Sequence, residues 1–239
     1  MKQKFLCLLL IPAMLAMLAA CGAAPGGEDE ESPPPATDDG GGTVYTGKIV
    51  RKQEDSVLIS GQADQALYWL PLEGLSLTDA QGQISADQLA AGMLVEIRCE
   101  GDGLVLETYP IQFAAPLALH VTGREEDMAG FYLMVMRDLY GRDSGLSGGI
   151  ELIALDLTQA SNLSEGDKAA LCYLVQDEFG VMTTQSTFDA LVEAGDIKGE
   201  NGGYFFETGL LTSITDVEEK GAESFTFSIQ NWRSSLAAY

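Results

Sequence analysis

Met93-Leu94-Val95-Glu96-Ile97-Arg98-Cys99, then Glu100-Gly101-Asp102-Gly103, then Leu104-Val105-Leu106-Glu107-Thr108-Tyr109 is the stretch that decides the fold class. Val95, Ile97 and Cys99 recur at every second position, the period of a half-buried strand. Asp102-Gly103 supplies the positive φ that a tight turn requires, so a hairpin is predicted across 93–109. Upstream, Val44–Val50, Ser56–Ser60 and Ala66–Leu70 are rich in β-branched, aromatic and Leu residues, with Glu54-Asp55 as a turn between the first two. Five short strands within 44–116 predict a small closed or half-closed barrel.

The carrying motifs are Leu89-Ala90-Ala91-Gly92-Met93-Leu94-Val95-Glu96-Ile97, the Glu100–Gly103 turn, and Glu107-Thr108-Tyr109-Pro110-Ile111-Gln112. Together they resemble a domain of unknown function, a small OB-like β-barrel found in Firmicute lipoproteins. That family has a Gly before a valine-rich strand, an acidic-Gly hairpin and a Tyr-Pro ending. The resemblance implies a fold and no activity.

From Ala118 onward helix and strand signals mix. Thr122-Gly123-Arg124-Glu125 reads as a capping box, followed by Met128, Phe131, Tyr132, Val135, Met136 and Leu139 at helical spacing. A Gly-rich loop (141–149) and a strand over Ile150–Leu157 come next. Ser164 with Asp167 opens a second helix ending near Gly180, and Ser186 with Asp189 opens a third, closed by Gly195. Tyr204–Phe206, Leu210–Val217 and Ser224–Ile229 read as strands. This order predicts an α+β second domain. The half also resembles the extracytoplasmic tails of uncharacterised clostridial proteins, through Asp138-Leu139-Tyr140, Ala154-Leu155-Asp156-Leu157, Asn162-Leu163-Ser164 and Trp232–Tyr239; those tails run on, whereas this chain stops at Tyr239.

The N-terminal segment carries Lys2 and Lys4, an apolar run from Phe5 to about Leu18, and then Leu18-Ala19-Ala20-Cys21-Gly22. A basic, then apolar, then small-residue leader is a secretory signal. With Cys after Leu-Ala-Ala, it resembles the lipobox of a bacterial lipoprotein. The resemblance implies cleavage before Cys21 and a diacylglycerol thioether on it. Two acyl chains anchor a protein where one holds only marginally. Residues 22–42 are Gly-, Pro- and acid-rich with Ala as the only apolar residue, and are expected to be a disordered tether with a coil reach of about 25 Å. The organisation expected is therefore signal (1–20), linker (21–43), OB-like β-barrel (44–116) and α+β domain (117–239).

The leader holds two of the 13 bases and none of the 36 acids, so the chain from Cys21 carries 11 bases against 36 acids, a net of −25. Such a field repels nucleic acid and anionic envelope polymers. The barrel itself has four bases and ten acids. With Cys7 in the leader and Cys21 lipidated, Cys99 and Cys172 remain. Both fall in apolar patterns and are expected to be buried free thiols, although an exported compartment permits a disulfide.

Catalytic templates find no support. Gly145-Leu146-Ser147-Gly148-Gly149 matches G-x-S-x-G, but a helix is predicted before it and a strand after, the reverse of a nucleophile elbow. The single His, His120, precedes Ser147 and is read as a structural residue, with pH sensing as the alternative. Asp138, Asp143 and Glu151 lack the spacing of a calcium loop, so only weak Ca²⁺ association with the acidic surface is expected, and no cofactor. Tyr45, Tyr68, Trp69 and Tyr109 could form a saccharide platform, but aromatic residues on short strands are expected in the core. The reading is a lipid-anchored, extracytoplasmic, non-enzymatic binding or accessory module with a protein or envelope-glycan partner. The alternative is a carboxylate-dependent hydrolase of envelope polysaccharide or peptide, which needs two carboxylates about 5–10 Å apart. A solute-binding lipoprotein is disfavoured by the missing repeated β-α pattern.

Overall fold

A computed structural model describes residues 42–238, apart from 102–104, 107, 143, 201, 222–223 and 236. The signal segment, Cys21, most of the linker and Asp143 lie outside the described residues. The fold is mixed α+β.

The first sheet contains β1 (Thr43–Lys52), β2 (Ser56–Gly61), β3 (Leu67–Pro71), β4 (Ser76–Asp79), β5 (Gly82–Gln83), β6 (Met93–Cys99), β7 (Val105–Leu106), β8 (Ile111–Phe113) and β9 (Pro116–Arg124). Its strand order is β5-β4-β9-β6-β1-β2-β3-β8-β7. The pairings β1–β2, β2–β3, β1–β6 and β6–β9 are antiparallel, and β3–β8 is parallel. Only Ala114 and Ala115 separate β8 from β9, yet the two pair on opposite flanks of the sheet.

Two expectations change here. The hairpin predicted across Glu100–Gly103 does not pair its two arms: β6 already has β1 on one edge and β9 on the other, so β7 pairs with β8 instead. The first sheet also continues past the expected limit at residue 116, because the hydrogen-bonding edge of β6 is filled by Pro116–Arg124. Thr122 is consequently a strand residue, and the capping-box reading at 122–125 fails. Asp127 caps the next helix, its carboxylate accepting from Gly130 N at 3.0 Å. Gly92 marks where β6 starts. Its φ of +86° and a Glu125 carbonyl oxygen 2.4 Å from where a Cβ would stand leave room for Gly alone.

The remainder comprises α1 (Met128–Arg142), α2 (Ser144–Ser147), β10 (Leu152–Asp156), α3 (Glu165–Phe179), β11 (Met182–Gln185), α4 (Phe188–Ala194), β12 (Ile197–Glu200), β13 (Gly203–Phe206), β14 (Gly209–Gly221), β15 (Ser224–Ser234) and β16 (Ala237–Ala238). The second sheet runs β11-β10-β14-β15-β13-β12, with β16 on β15. β10 is parallel to both β11 and β14, and α3 makes the crossover that a parallel β10–β11 pair requires. Ser164 caps α3 with Asp167 in a reciprocal box and Gly180 ends it in the left-handed region, as the sequence predicts. The cap of α4 is Thr187, one residue beyond the predicted Ser186, since its hydroxyl accepts from Ala190 N. The span read as a Gly-rich loop carries the end of α1 and the whole of α2.

Cores explain how the two lobes join. Val57, Ile59, Tyr68, Val95, Ile97 and Leu119 fill the inside of the first sheet. Val50, Leu58 and Leu67, on its opposite face, belong to a core that also holds Tyr132 and Met136 of α1, Leu171 and Leu174 of α3, and Ile153 of β10. β2 is therefore buried on both faces, which is why Val57-Leu58-Ile59 is an unbroken apolar run. A polar lock lies beside this seam. Lys48 Nζ is 2.6 Å from Asp167 Oδ1, with side chains 10% and 5% exposed, and 3.4 Å from the more exposed Glu125. Gly166 permits the approach of α3, since a Cβ there would stand 2.4 Å from Ser60 Oγ.

Candidate functional site

The face of the first sheet that packs on α1 and α3 is covered at one end only. Along β1, Lys48 and Val50 lie under the helical lobe, whereas Thr46 is exposed and Val44 half-exposed. Side chains alternate across a strand, so the core positions Val95, Ile97 and Leu119 send Glu96, Arg98, Ala118 and His120 to this outer face. Strand register then assembles two rows. Thr78 stands opposite His120 and His120 opposite Glu96; one step along, Ala118 stands opposite Arg98 and Arg98 opposite Val44. Val44, Thr78, Glu96, Arg98, Ala118 and His120 line an open groove of about 410 Å³.

The chemistry of this groove is mixed. His120 Nδ1 and Thr78 Oγ1 share a 2.9 Å hydrogen bond that holds the ring across β9 and β4. Among the described residues, His120 Nε2 and the Glu96 carboxylate have no hydrogen-bond or ion-pair partner. Ala118 and Val44 give a small apolar floor. Glu96 is the one carboxylate among these lining residues, whereas a glycosidase needs two. Sequence reasoning found His120 but passed over Glu96, Arg98 and Thr78. The alternation that buried Val95, Ile97 and Cys99 already implied the outward pair, while Thr78 sits on a four-residue strand with no periodic signal.

The other sequence candidates disperse. Ser147 ends a one-turn helix with a strand after it, so no strand enters it as a nucleophile elbow requires. Asp138 pairs with Arg142 at 2.7 Å. Tyr45 and Tyr68 pack with Phe113 at ring centroid distances of 5.2 and 5.1 Å, inside the sheet. Burial, then a hydrogen bond donated to Asp64, pushes the Tyr68 hydroxyl well above its ordinary range. Trp69 lies against the shared core. Tyr109 departs from the core expectation. It is 70% exposed, in the bend before β8, and meets Tyr173 edge-on.

Cys99 and Cys172 are both free thiols, Cys99 buried and Cys172 only half-buried because it sits at the margin of the shared core. Burial pushes each thiol up to about 11. The thiolate fraction at pH 8 is then on the order of one in a thousand, and only the thiolate reacts. Both should label slowly in the folded protein and rapidly after unfolding, followed by mass spectrometry of the peptides that carry them; rapid native labelling would contradict this. Since folding favours the protonated thiols, their stabilisation is intact below pH 9 and is lost as pH rises towards 11.

No family model matches the chain, and no curated protein matches it. Among solved structures, a multidomain protein with nucleic acid binding domains from Streptococcus pneumoniae aligns at 14% identity and a TM-score of 0.21, covering 73% of this chain and 50% of that one. The chain spans about half the length of that protein. A TM-score so low supports no inference about fold or function.

Proposed function

We propose that the protein is a lipid-anchored extracytoplasmic binding module, held through Cys21, that recognises its partner on the open outer face of the first sheet. The observation that carries this reading is the groove: the Glu96 carboxylate and His120 Nε2, without partners among the described residues, converge over the small apolar residues Val44 and Ala118 on the open face of the sheet, the usual make-up of a recognition site. The OB-like barrel is part of the same proposal. Its support is connectivity: β1, β2 and β3 form a meander, β6 lies against β1, and the bent run β8–β9 meets β3 on one side and β6 on the other. OB-fold barrels bind oligonucleotides or oligosaccharides. The acidic charge disfavours the first, leaving a protein or envelope-glycan partner.

Two measurements test the reading. Mature protein should sediment with membranes and carry the lipid on its first residue by mass spectrometry. Cys21→Ala should leave the membrane fraction or accumulate as precursor, and an unmodified Cys21 or an intact 1–20 segment in the mature chain refutes the anchor. Purified cell-wall sacculi incubated with the full chain should retain it in a saturable way without releasing soluble fragments. Fragment release would favour the hydrolase.

A further inference from the structure

The fold leaves one edge of β15 open. A strand residue meets one partner on each edge, and Trp232 pairs with Leu211 of β14 on one side and Ala238 of β16 on the other. Ser234 likewise meets Phe205 of β13 and Ala237 of β16. β14 fills the first edge from Trp232 back to Ser224. On the second edge β16 covers only Trp232–Ser234, so among the described residues Ser224–Gln230 has no strand beside it there. Exposed edges are ordinarily blunted by charge, Pro or bulges. The free edge of β14 follows that rule. Beyond Ser213, its last pairing with β10, it carries Asp216, Glu218, Glu219 and Lys220, and both bulges of the ribbon place their extra residue on it. β15 does not follow it: Ser224-Phe225-Thr226-Phe227-Ser228-Ile229-Gln230 is regular and has no charge, Pro or Gly.

This edge is also complementary to itself. Ser224-Phe225-Thr226-Phe227-Ser228 reads the same in both directions. Laid antiparallel on a second copy with Thr226 on the two-fold axis, Thr226 faces Thr226, Phe225 faces Phe227 and Ser224 faces Ser228. Side chains alternate across a strand, so this register keeps the aromatic row of both copies on the α1 side and the hydroxyl row on the other. Phe225 and Phe227 are half-buried, with Phe131 of α1 at ring-centroid distances of 5.5 and 5.7 Å. A second copy would extend that aromatic cluster across the axis, and aromatic and Thr–Thr pairs placed opposite each other are among those that stabilise sheets. The same patch on both subunits is what a closed two-fold dimer requires. Charge favours this meeting point, because the chain carries a net −23 and an uncharged strand lets two copies approach with the least repulsion.

We infer that two copies of the chain associate through β15, antiparallel about Thr226, and join their second sheets into one. The groove lies on the first sheet, so the binding-module reading neither supports this association nor falls with it. Thr226 is exposed on the face opposite the aromatic row, so a charge there spares the core and meets its own copy across the axis. The experiment is sedimentation equilibrium of the full detergent-solubilised chain as wild type, Thr226→Lys, Thr226→Glu and an equimolar mixture of the two variants. Wild type should form a dimer that tightens as salt is raised, because screening weakens the repulsion between two anionic chains. Each variant alone should associate at least about tenfold more weakly, since like charges directly opposite are destabilising, and the mixture should recover the wild-type constant to within about threefold, since opposite charges then face each other. Recovery in the mixture cannot come from a folding defect in either variant. A monomeric wild type, variants that associate as wild type does, or a mixture no tighter than its components would each overturn the inference. So would a dimer loosened by salt, which would place the contact on charged surface instead.

Discussion

Lys48→Met should destabilise the protein by about 3–5 kcal/mol, because it strands Asp167 in a buried site without its counter-charge. The Asp167 side chain is 5% exposed, and its two oxygens have divided tasks. Oδ2 accepts from Ser164 Oγ at 2.7 Å and Ser164 N at 3.3 Å, closing the cap of α3, while Oδ1 meets the Lys48 ammonium at 2.6 Å. Met keeps an unbranched apolar stem as far as Cε and lacks only the ammonium, so the loss reports chiefly the charge rather than the packing. Asp167→Asn should be costly in the wild-type background and much cheaper in Lys48→Met, a coupling of about 0.5–3 kcal/mol in a double-mutant cycle read from urea midpoints. Glu125→Gln, which removes the longer and more exposed contact at 3.4 Å, should cost under about 1 kcal/mol. Additive effects of the Lys48 and Asp167 substitutions would mean that the pair does not lock the seam.

Local signals in the sequence placed most elements. Met93–Cys99 is predicted and observed with the same limits, and the Ser164–Asp167 box and Gly180 bound α3 as read. These are determined by neighbours within a few residues, through side-chain alternation and cap hydrogen bonds. Pairing partners were beyond such reasoning. Asp102-Gly103 gives a legitimate turn signal, but whether its arms pair depends on β1 and β9 having taken both edges of β6. Thr122 through Glu125 satisfies the letters of a capping box, yet the open edge of β6 draws Thr122 into a strand. The groove was half legible: alternation gives Glu96 and Arg98, whereas their proximity to Thr78 and His120 depends on the register of β4 and β9. Lys48 could not be distinguished from a surface base, since its partner lies more than a hundred residues away in α3.

The two lobes should unfold as one, and Leu58→Ala should lower the stability of both by about 2–5 kcal/mol. Leu58 is fully buried on the helical side of β2, in a core that also contains Tyr132, Leu171 and Ile153 from the other lobe. Its neighbours Val57 and Ile59 are equally buried on the opposite face, in the first sheet's own core. Removing the lobe beyond Arg124 would expose Val50, Leu58, Leu67 and Trp69 together, so neither lobe retains its full core when separated. The chain's two Trp residues make this measurable, because Trp69 lies on β3 in the first sheet and Trp232 on β15 in the second. In Trp69→Phe and Trp232→Phe backgrounds, fluorescence reports one lobe at a time. Within each background, Leu58→Ala should displace the midpoint by the same amount. Leu211→Ala, in the separate cluster with Leu191 and Phe206, should likewise shift both reporters. Two resolved transitions, or a Leu58→Ala effect confined to the Trp69 reporter, would show that the shared core does not couple the lobes, and the groove would then be carried by a first sheet stable on its own.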